Sequence, residues 1–294
     1  MKPHLLAAAL ALLPFTAHAA GGKLLLTGGV SSIDGAAGGG LTPWALIGSN
    51  ATQDEWGATA FASLARTGDY RLRAAGVAVG IDDRVELSLA RQRFDAGATG
   101  AALGLPGLVL RQDIAGAKWR IAGDAVLDSD SAMPQLAIGL LAKRADAAGL
   151  APTLAALGAR PDGVDAYLSA TKLLLAQGLL LNATVRWTRA NQNGLLGFGS
   201  SGQRGFSLLP EVSMAWLLNR TLAIGAEYRA KPDKLNPSPL GAGLKEDDWA
   251  DVFVAWAPNK RVSVTAAWLD LGRIVPGVQP RRQRGGYVSM QLAH

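Results

Sequence analysis

Histidine and cysteine carry much of the chemistry that side chains perform, and this 294-residue chain has three of the first and none of the second. His4 and His18 lie near the start, and His294 is the last residue. If the first two leave with a cleaved signal peptide, a Ser-His-Asp triad or a histidine metal centre would have to run through that terminal residue. With no thiol, neither a disulfide framework nor a cysteine nucleophile is available. What remains is charge. Glu86, Lys118, Arg120, Lys143, Arg186, Glu211, Glu227 and Arg229 fall on the polar side of alternating segments. Lining a single passage, they could orient a polar solute through cross-lumen charge pairs; paired with one another, they would brace a closed interior. Both signs occur, so the lining has no strong preference for anions or cations. No carboxylate pair is placed for acid–base work. No catalytic residue is assigned, and no enzyme, cofactor or metal is expected.

Other charged groups have plainer readings. Asp124, Asp128 and Asp130 lack the glycine and terminal glutamate of a calcium loop and read as a solvated turn. Glu246, Asp247 and Asp248 with Asp251 read as a hydrated loop end. Lys and Arg total 29 against 23 Asp and Glu, a formal net charge of +6. The basic residues are not gathered into an aromatic-interleaved run, so nucleic acid is not an expected partner.

These residues must be positioned by strands. From residue 56 onward, about ten alternating residues are followed by a break, and the pattern repeats. The predicted strands are 56–66, 70–81, 84–94, 110–122, 134–143, 164–174, 179–189, 208–218, 221–230, 249–257, 261–270 and 285–293. A transmembrane strand needs about 9–11 residues, whereas soluble strands average about 5–6. In 179–189, Leu181, Ala183, Val185 and Trp187 oppose Asn182, Thr184 and Arg186. In 208–218, Val212, Met214 and Trp216 oppose Glu211, Ser213 and Ala215. In the hairpin at 76–94, Val77, Val79 and Ile81 continue as Val85, Leu87 and Leu89 across an Asp82-Asp83 turn. Those apolar faces need no protein core if they meet lipid.

Loop lengths alternate as well. Short connections lie near Asp82-Asp83, 176–178, 219–220 and 258–260; long ones lie at 95–109, 144–163, 190–207, 231–248 and 271–284. Outer-membrane barrels have short periplasmic turns and long external loops. Two connections depart from this parity: 67–69 is short where a long loop is due, and 123–133 is long where a turn is due. The expected fold is therefore all-β, an antiparallel transmembrane β-barrel. Trp119, Trp187, Trp216, Trp256 and Trp268 sit where an aromatic girdle would be, and Trp249, beside the acidic cluster, is read as an interface residue. On the same parity Arg71, Arg73, Arg91 and Arg93 share the outward face toward the external end, where lipopolysaccharide phosphates would meet them; a solvated rim is the plain alternative.

The chain opens with Lys2, an apolar run over 5–15 and Ala17-His18-Ala19, the pattern of a secretory signal peptide cleaved after Ala19. Residues 20–55 are rich in glycine and must contribute either no strand or two, because one strand would invert every later loop. No strand gives a barrel of twelve with an N-terminal arm able to enter the lumen; two give fourteen. The chain ends on alternating residues, with Val288, Met290 and Leu292 on one face and His294 last. Bacterial barrels usually end in an aromatic residue read by the barrel insertion machinery, and His294 departs from that habit. The stretches GGVSSIDGAAGGGLTPWA, DRVELSLARQRFD, TGAALGLPG, NQNGLLGFG, AEYRAKPD and LKEDDWADVFVAWAPNK together resemble an uncharacterised proteobacterial family known only as a domain of unknown function. The resemblance implies an exported outer-membrane barrel and carries no catalytic residue. The expected function is a passive channel or transporter for a small solute, with a structural or adhesive barrel as the alternative.

Overall fold

The computed structural model describes residues 23–126, 131–236 and 242–294; the signal-peptide stretch and Asp128 and Asp130 of the acidic turn lie outside them. Two short strands, β1 (Val30–Ser31) and β2 (Ala37–Gly38), pair with each other in the N-terminal segment. The wall follows: β3 (Trp56–Thr67), β4 (Arg71–Ile81), β5 (Val85–Asp95), β6 (Val109–Ala122), β7 (Gln135–Asp146) and β8 (Asp162–Leu174). It continues as β9 (Leu179–Thr188), β10 (Ser207–Leu217), β11 (Leu222–Arg229), β12 (Trp249–Asn259), β13 (Val262–Asp270) and β14 (Arg284–Ala293). Each strand pairs antiparallel with its neighbours in sequence, and β14 pairs with β3 to close a barrel of twelve. Closure removes the free edges that lipid cannot satisfy.

Polarity is reversed relative to a soluble protein. Leu87 is 50% exposed and Val252 58%, while Glu86 is 1% and Arg186 2% exposed. Along β9 the alternation is complete: Leu181, Val185 and Trp187 face out, and Asn182, Thr184, Arg186 and Thr188 face in. Only a wall with a nonpolar solvent outside and polar partners inside makes this arrangement favourable. Trp56, Trp119, Trp216 and Trp256 project outward beside the short turns; Trp187, Trp268 and Tyr228 do so near the long loops. Aromatic rings thus ring both rims of the apolar band. Trp249 corrects the interface reading: it is 6% exposed and turned inward, with the Lys231 ammonium 4.0 Å from its ring centre.

The predicted strands correspond to β3–β14, with the largest shift in β7, which runs on to Asp146. Outward ion pairs, Arg111 with Asp146 at 3.3 Å and Arg144 with Asp162 at 3.8 Å, accompany the extra ladder beyond the apolar band. The hairpin connection spans 82–84, where Asp82 and Asp83 take positive φ of 55° and 44°. Aspartate tolerates that region because its short side chain bonds locally.

The two connections that break parity have structural reasons. The short one, 68–70, is pinned by Gln283 from a neighbouring loop, whose side chain accepts from Asp69 N at 3.1 Å and donates to Asp69 Oδ2 at 2.7 Å. In the long one the chain turns into the barrel at its start: Ala125 is fully buried against Leu173 and Leu180, and its carbonyl accepts from Leu173 N. At the opposite end the long loops, carrying α1 (Gly97–Ala102) and α2 (Ala151–Ala156), share an apolar core of their own that includes Leu108, Leu154, Leu195, Leu196 and Leu235. They form a cap over the mouth.

Candidate functional site

The lumen is occupied by the N-terminal segment. Residues 30–49 are buried throughout, and side chains of the wall seize their backbone. Glu86 on β5 accepts from Ala37 N at 3.0 Å and Gly48 N at 2.7 Å. Glu227 on β11 accepts from Leu41 N at 2.8 Å and from the Thr42 hydroxyl at 2.6 Å. Lys118 donates to the carbonyls of Ala37 and Leu46, both at 2.8 Å, and pairs with Glu86 at 3.2 Å. The Pro43 carbonyl accepts from Thr184 at 2.8 Å and Ser169 at 3.2 Å, and Gln135 donates to Ala45 O at 2.7 Å. Bonds to charged groups in a dry interior are stronger than neutral ones. Below them Trp44 and Leu46 pack on Leu173, Leu180 and Phe253.

Glycine makes this approach possible. A Cβ at Gly39 would stand 2.0 Å from the Glu227 carboxylate, and one at Gly29, where φ is +70°, would stand 2.8 Å from the Gly38 carbonyl. A residue with a side chain at either place would push the arm off the wall or out of its turn.

Above the glutamates lies a charge network centred on Asp34 of the arm. Its carboxylate meets Arg229 at 3.1 Å and Lys143 at 3.5 Å, and accepts from Asn193 at 2.8 Å. Arg186 pairs with Glu211 at 2.5 Å and with Asp165 at 3.5 Å; Lys143 also reaches Asp165 at 3.0 Å, and Arg229 reaches Glu211 at 3.1 Å. Burial alone would raise the Asp34 pKa, but Lys143, Arg229 and Arg186, with the Asn193 bond, hold it well below the usual carboxylate range.

The structure thus brings Glu86, Lys118, Lys143, Arg186, Glu211, Glu227 and Arg229 into one lumen, where each is buried against a partner. Arg120 stands apart at the short-turn end, paired with Asp83 at 2.8 Å, where Asp83 also meets Lys23 of the arm at 2.6 Å. Asp34, Asp165, Gln92 and Asp251 are interior residues that the alternation alone did not single out. The predicted lining held five cations and three carboxylates, and that surplus was the signal that further acids had to face inward. The acidic loop end is the hydrated cluster expected only in part: Asp248 is exposed and Asp247 half-buried, but Glu246 and Asp251 are buried. Glu246 pairs with Lys231 at 2.9 Å and Asp247 with Arg273 at 2.8 Å, while Asp248 bonds Tyr228 at 2.5 Å. Asp251 faces inward opposite Glu227.

On the outer wall Arg71, Arg73, Arg91 and Arg93 point away from the lumen near the long-loop end. Arg91 makes a two-pronged ion pair with Asp113. Arg73 stands directly opposite Arg93, Arg93 opposite Arg111, and Arg66 opposite Arg71.

A closed twelve-stranded wall, apolar outside and charged inside, with a chain segment in its lumen defines the class: an antiparallel transmembrane β-barrel. In sequence, residues 27–291 match the family described as "Protein of unknown function (DUF3034)", and the chain belongs to that family. In structure it is similar to the NanC porin, with a TM-score of 0.52 at 8% identity, covering 80% of this chain and 98% of that one. The KdgM porin gives 0.49 at 8% identity over the same shares. Outer membrane phospholipase A from Escherichia coli gives 0.43 at 8% identity, covering 80% of this chain and 89% of that one. Comparison with curated proteins found no match.

Proposed function

We propose that the protein is an outer-membrane channel for a small solute, closed at rest by its N-terminal arm, and that it does no catalysis. In this reading residues 1–19 are a cleaved signal peptide, residues 20–55 the arm and residues 56–294 the barrel. The short turns face the periplasm and the long loops face outward. Arg71, Arg73 and Arg93 then meet lipopolysaccharide phosphates, with Arg91 largely neutralised by Asp113, and the barrel insertion machinery delivers the chain to lipid.

One observation carries the reading. Among the described residues, no backbone ladder joins residues 27–48 to the wall: their pairing partners lie within the arm, and the wall reaches them through side chains. The wall's own ladder is complete without them. A segment held this way can leave without breaking a strand pair, whereas a strand of the sheet could not. A purely structural barrel has no need of a separable filling.

Conductance across planar bilayers tests this. Wild-type protein should be closed for most of the record, with brief openings. The double variant Glu86→Gln, Glu227→Gln, which keeps the shape of both clamps and removes their charge, should spend at least about tenfold more time open, since loss of a charge-assisted bond is worth about 1.5–3 kcal/mol. Silence of both proteins at every voltage would end the channel reading.

A further inference from the structure

The apolar chamber between the arm and the loop cap, bounded by Ile33, Leu41, Leu195 and Ile274, offers a ligand almost nothing but hydrocarbon. A cleft at the opposite, short-turn end offers more. Its volume is about 210 Å³, above the roughly 150 Å³ of an engineered cavity that takes benzene. The cleft lies on the seam between arm and wall. Lys23 and Leu24 come from the arm, Asp83 from the β4–β5 turn, Arg120 from β6 and Val126 from the connection after it. Leu24 is 55% exposed and Gln53 on the rim is exposed, so the cleft is reached from solvent.

Two groups in this lining hold bonding capacity in reserve, and both keep exposed surface. Arg120 donates to Asp83 at 2.8 Å and to Asp124 at 3.5 Å, both through Nη1. Its other edge, Nε with Nη2, has no partner among the described residues. That edge is the one this molecule uses for carboxylates elsewhere. Arg91 grips Asp113 with it, Arg273 grips Asp247, and Arg186 grips Glu211. Its two parallel N–H bonds match the two oxygens of a carboxylate in spacing and charge. Lys23 donates to Ile47 O at 2.7 Å and pairs with Asp83 at 2.6 Å, which leaves one N–H of its ammonium unspent. The reserve is therefore in donors, whereas both oxygens of Asp83 are engaged.

We infer that this cleft binds a small carboxylate with a short aliphatic body. The carboxylate takes the open edge of Arg120, with the Lys23 ammonium beside it, and the body lies against Leu24 and Val126. An α-amino acid is a poorer fit, because its ammonium, one carbon from the carboxylate, would face two cations. A sugar would leave hydroxyl groups unpaired against the apolar side. Because Lys23 belongs to the arm and Arg120 to the wall, the occupant fastens one to the other. The site goes beyond the channel reading, and its occupancy does not require conduction.

The test is saturation-transfer NMR at pH 7 with 4-methylpentanoate, on the full-length protein in zwitterionic lipid nanodiscs and on empty nanodiscs of the same composition. The protein should give a saturable response that empty nanodiscs lack. 4-Methylpentanamide keeps the shape without the charge, and acetate keeps the charge without the body. Each should bind at least about tenfold more weakly, and so should leucine, which adds the ammonium. Arg120→Lys keeps a cation for Asp83 but removes the fork, and Leu24→Asp sets a carboxylate against the ligand's body. Both should lower affinity at least about tenfold, with heat-modifiable gel mobility showing that the barrel still folds. A wild-type response equal to that of empty nanodiscs, equal affinity for acid and amide, or wild-type affinity in both folded variants would overturn the site. Leucine binding as tightly as 4-methylpentanoate would overturn the ligand class.

Discussion

Asp34 is the residue on which the closed state of the proposed channel turns. It is the carboxylate that the arm brings to the lumen, and Lys143, Arg186 and Arg229 of three separate strands converge on it. Removing one partner from a buried ion pair typically costs about 3–5 kcal/mol, because the other charge is left uncompensated. Asp34→Asn should therefore loosen the arm while leaving the barrel intact. The measurement is the rate at which a cysteine at Ser32 reacts with a water-soluble maleimide, alone and combined with the substitution. The pH dependence has a definite sign. A depressed pKa gives a contribution that is present above the unfolded value of about 3.9 and is lost only as pH falls toward the lower folded value. Acidifying from pH 7 to pH 5 should thus leave labelling of the Ser32→Cys protein slow, while Asp34→Asn speeds it at both. Equal rates for the two proteins would mean that Asp34 does not hold the arm. Its role was hard to see in the sequence because Asp34 lies in an irregular, glycine-rich stretch with no period to assign a face. Glu86, Glu227 and the lumen cations lie on strands, where period-2 alternation gives direction directly.

At the scale of the element, strands were legible and loops were not. A wall strand needs only ten residues that alternate, and the bilayer enforces that pattern on each of them. The connections answer to local contacts instead. The connection after β6 departs from the short-turn pattern where Ala125 is drawn into the floor of the lumen, and nothing in its composition announces a partner as distant in sequence as Leu173. The arginines of β4 and β5 carry a prediction at this scale. Like charges directly opposite on neighbouring strands are unfavourable, yet Arg73 faces Arg93 and Arg93 faces Arg111 on the outer wall. Anionic phosphate on the lipid side would offset that repulsion. Replacing Arg71, Arg73 and Arg93 with Gln should lower the thermal stabilisation that added lipopolysaccharide confers, and should change stability little in zwitterionic detergent. An undiminished lipopolysaccharide effect would return these residues to the status of a solvated rim. Arg91→Gln alone is the internal control, since Asp113 already compensates its charge.

For the whole molecule, the proposed channel has two closures in series, the arm below and the loop cap above, with the apolar chamber between them. The cap is held by hydrocarbon, through Leu195, Leu196, Leu154 and Leu235, and the arm chiefly by charge and backbone bonds. Such different fastenings respond to different perturbations. Weakening one closure changes how often its own gate opens, but ions still have to cross the other gate, and a hydrophobic constriction excludes water even when it is wide enough to admit it. The double variant Glu86→Gln, Glu227→Gln should accordingly open more often than wild type while keeping small openings. Leu195→Ser with Leu196→Ser should wet the cap and yet leave the arm shut. Combining all four substitutions should give openings larger than either pair alone, at a frequency set by the arm. If the clamp variant by itself reaches the amplitude of the fourfold variant in single-channel recordings, the cap is no barrier and the arm is the sole gate. A series arrangement would also explain why the charged interior and the apolar chamber coexist: ions that pass the one still meet a dry constriction at the other.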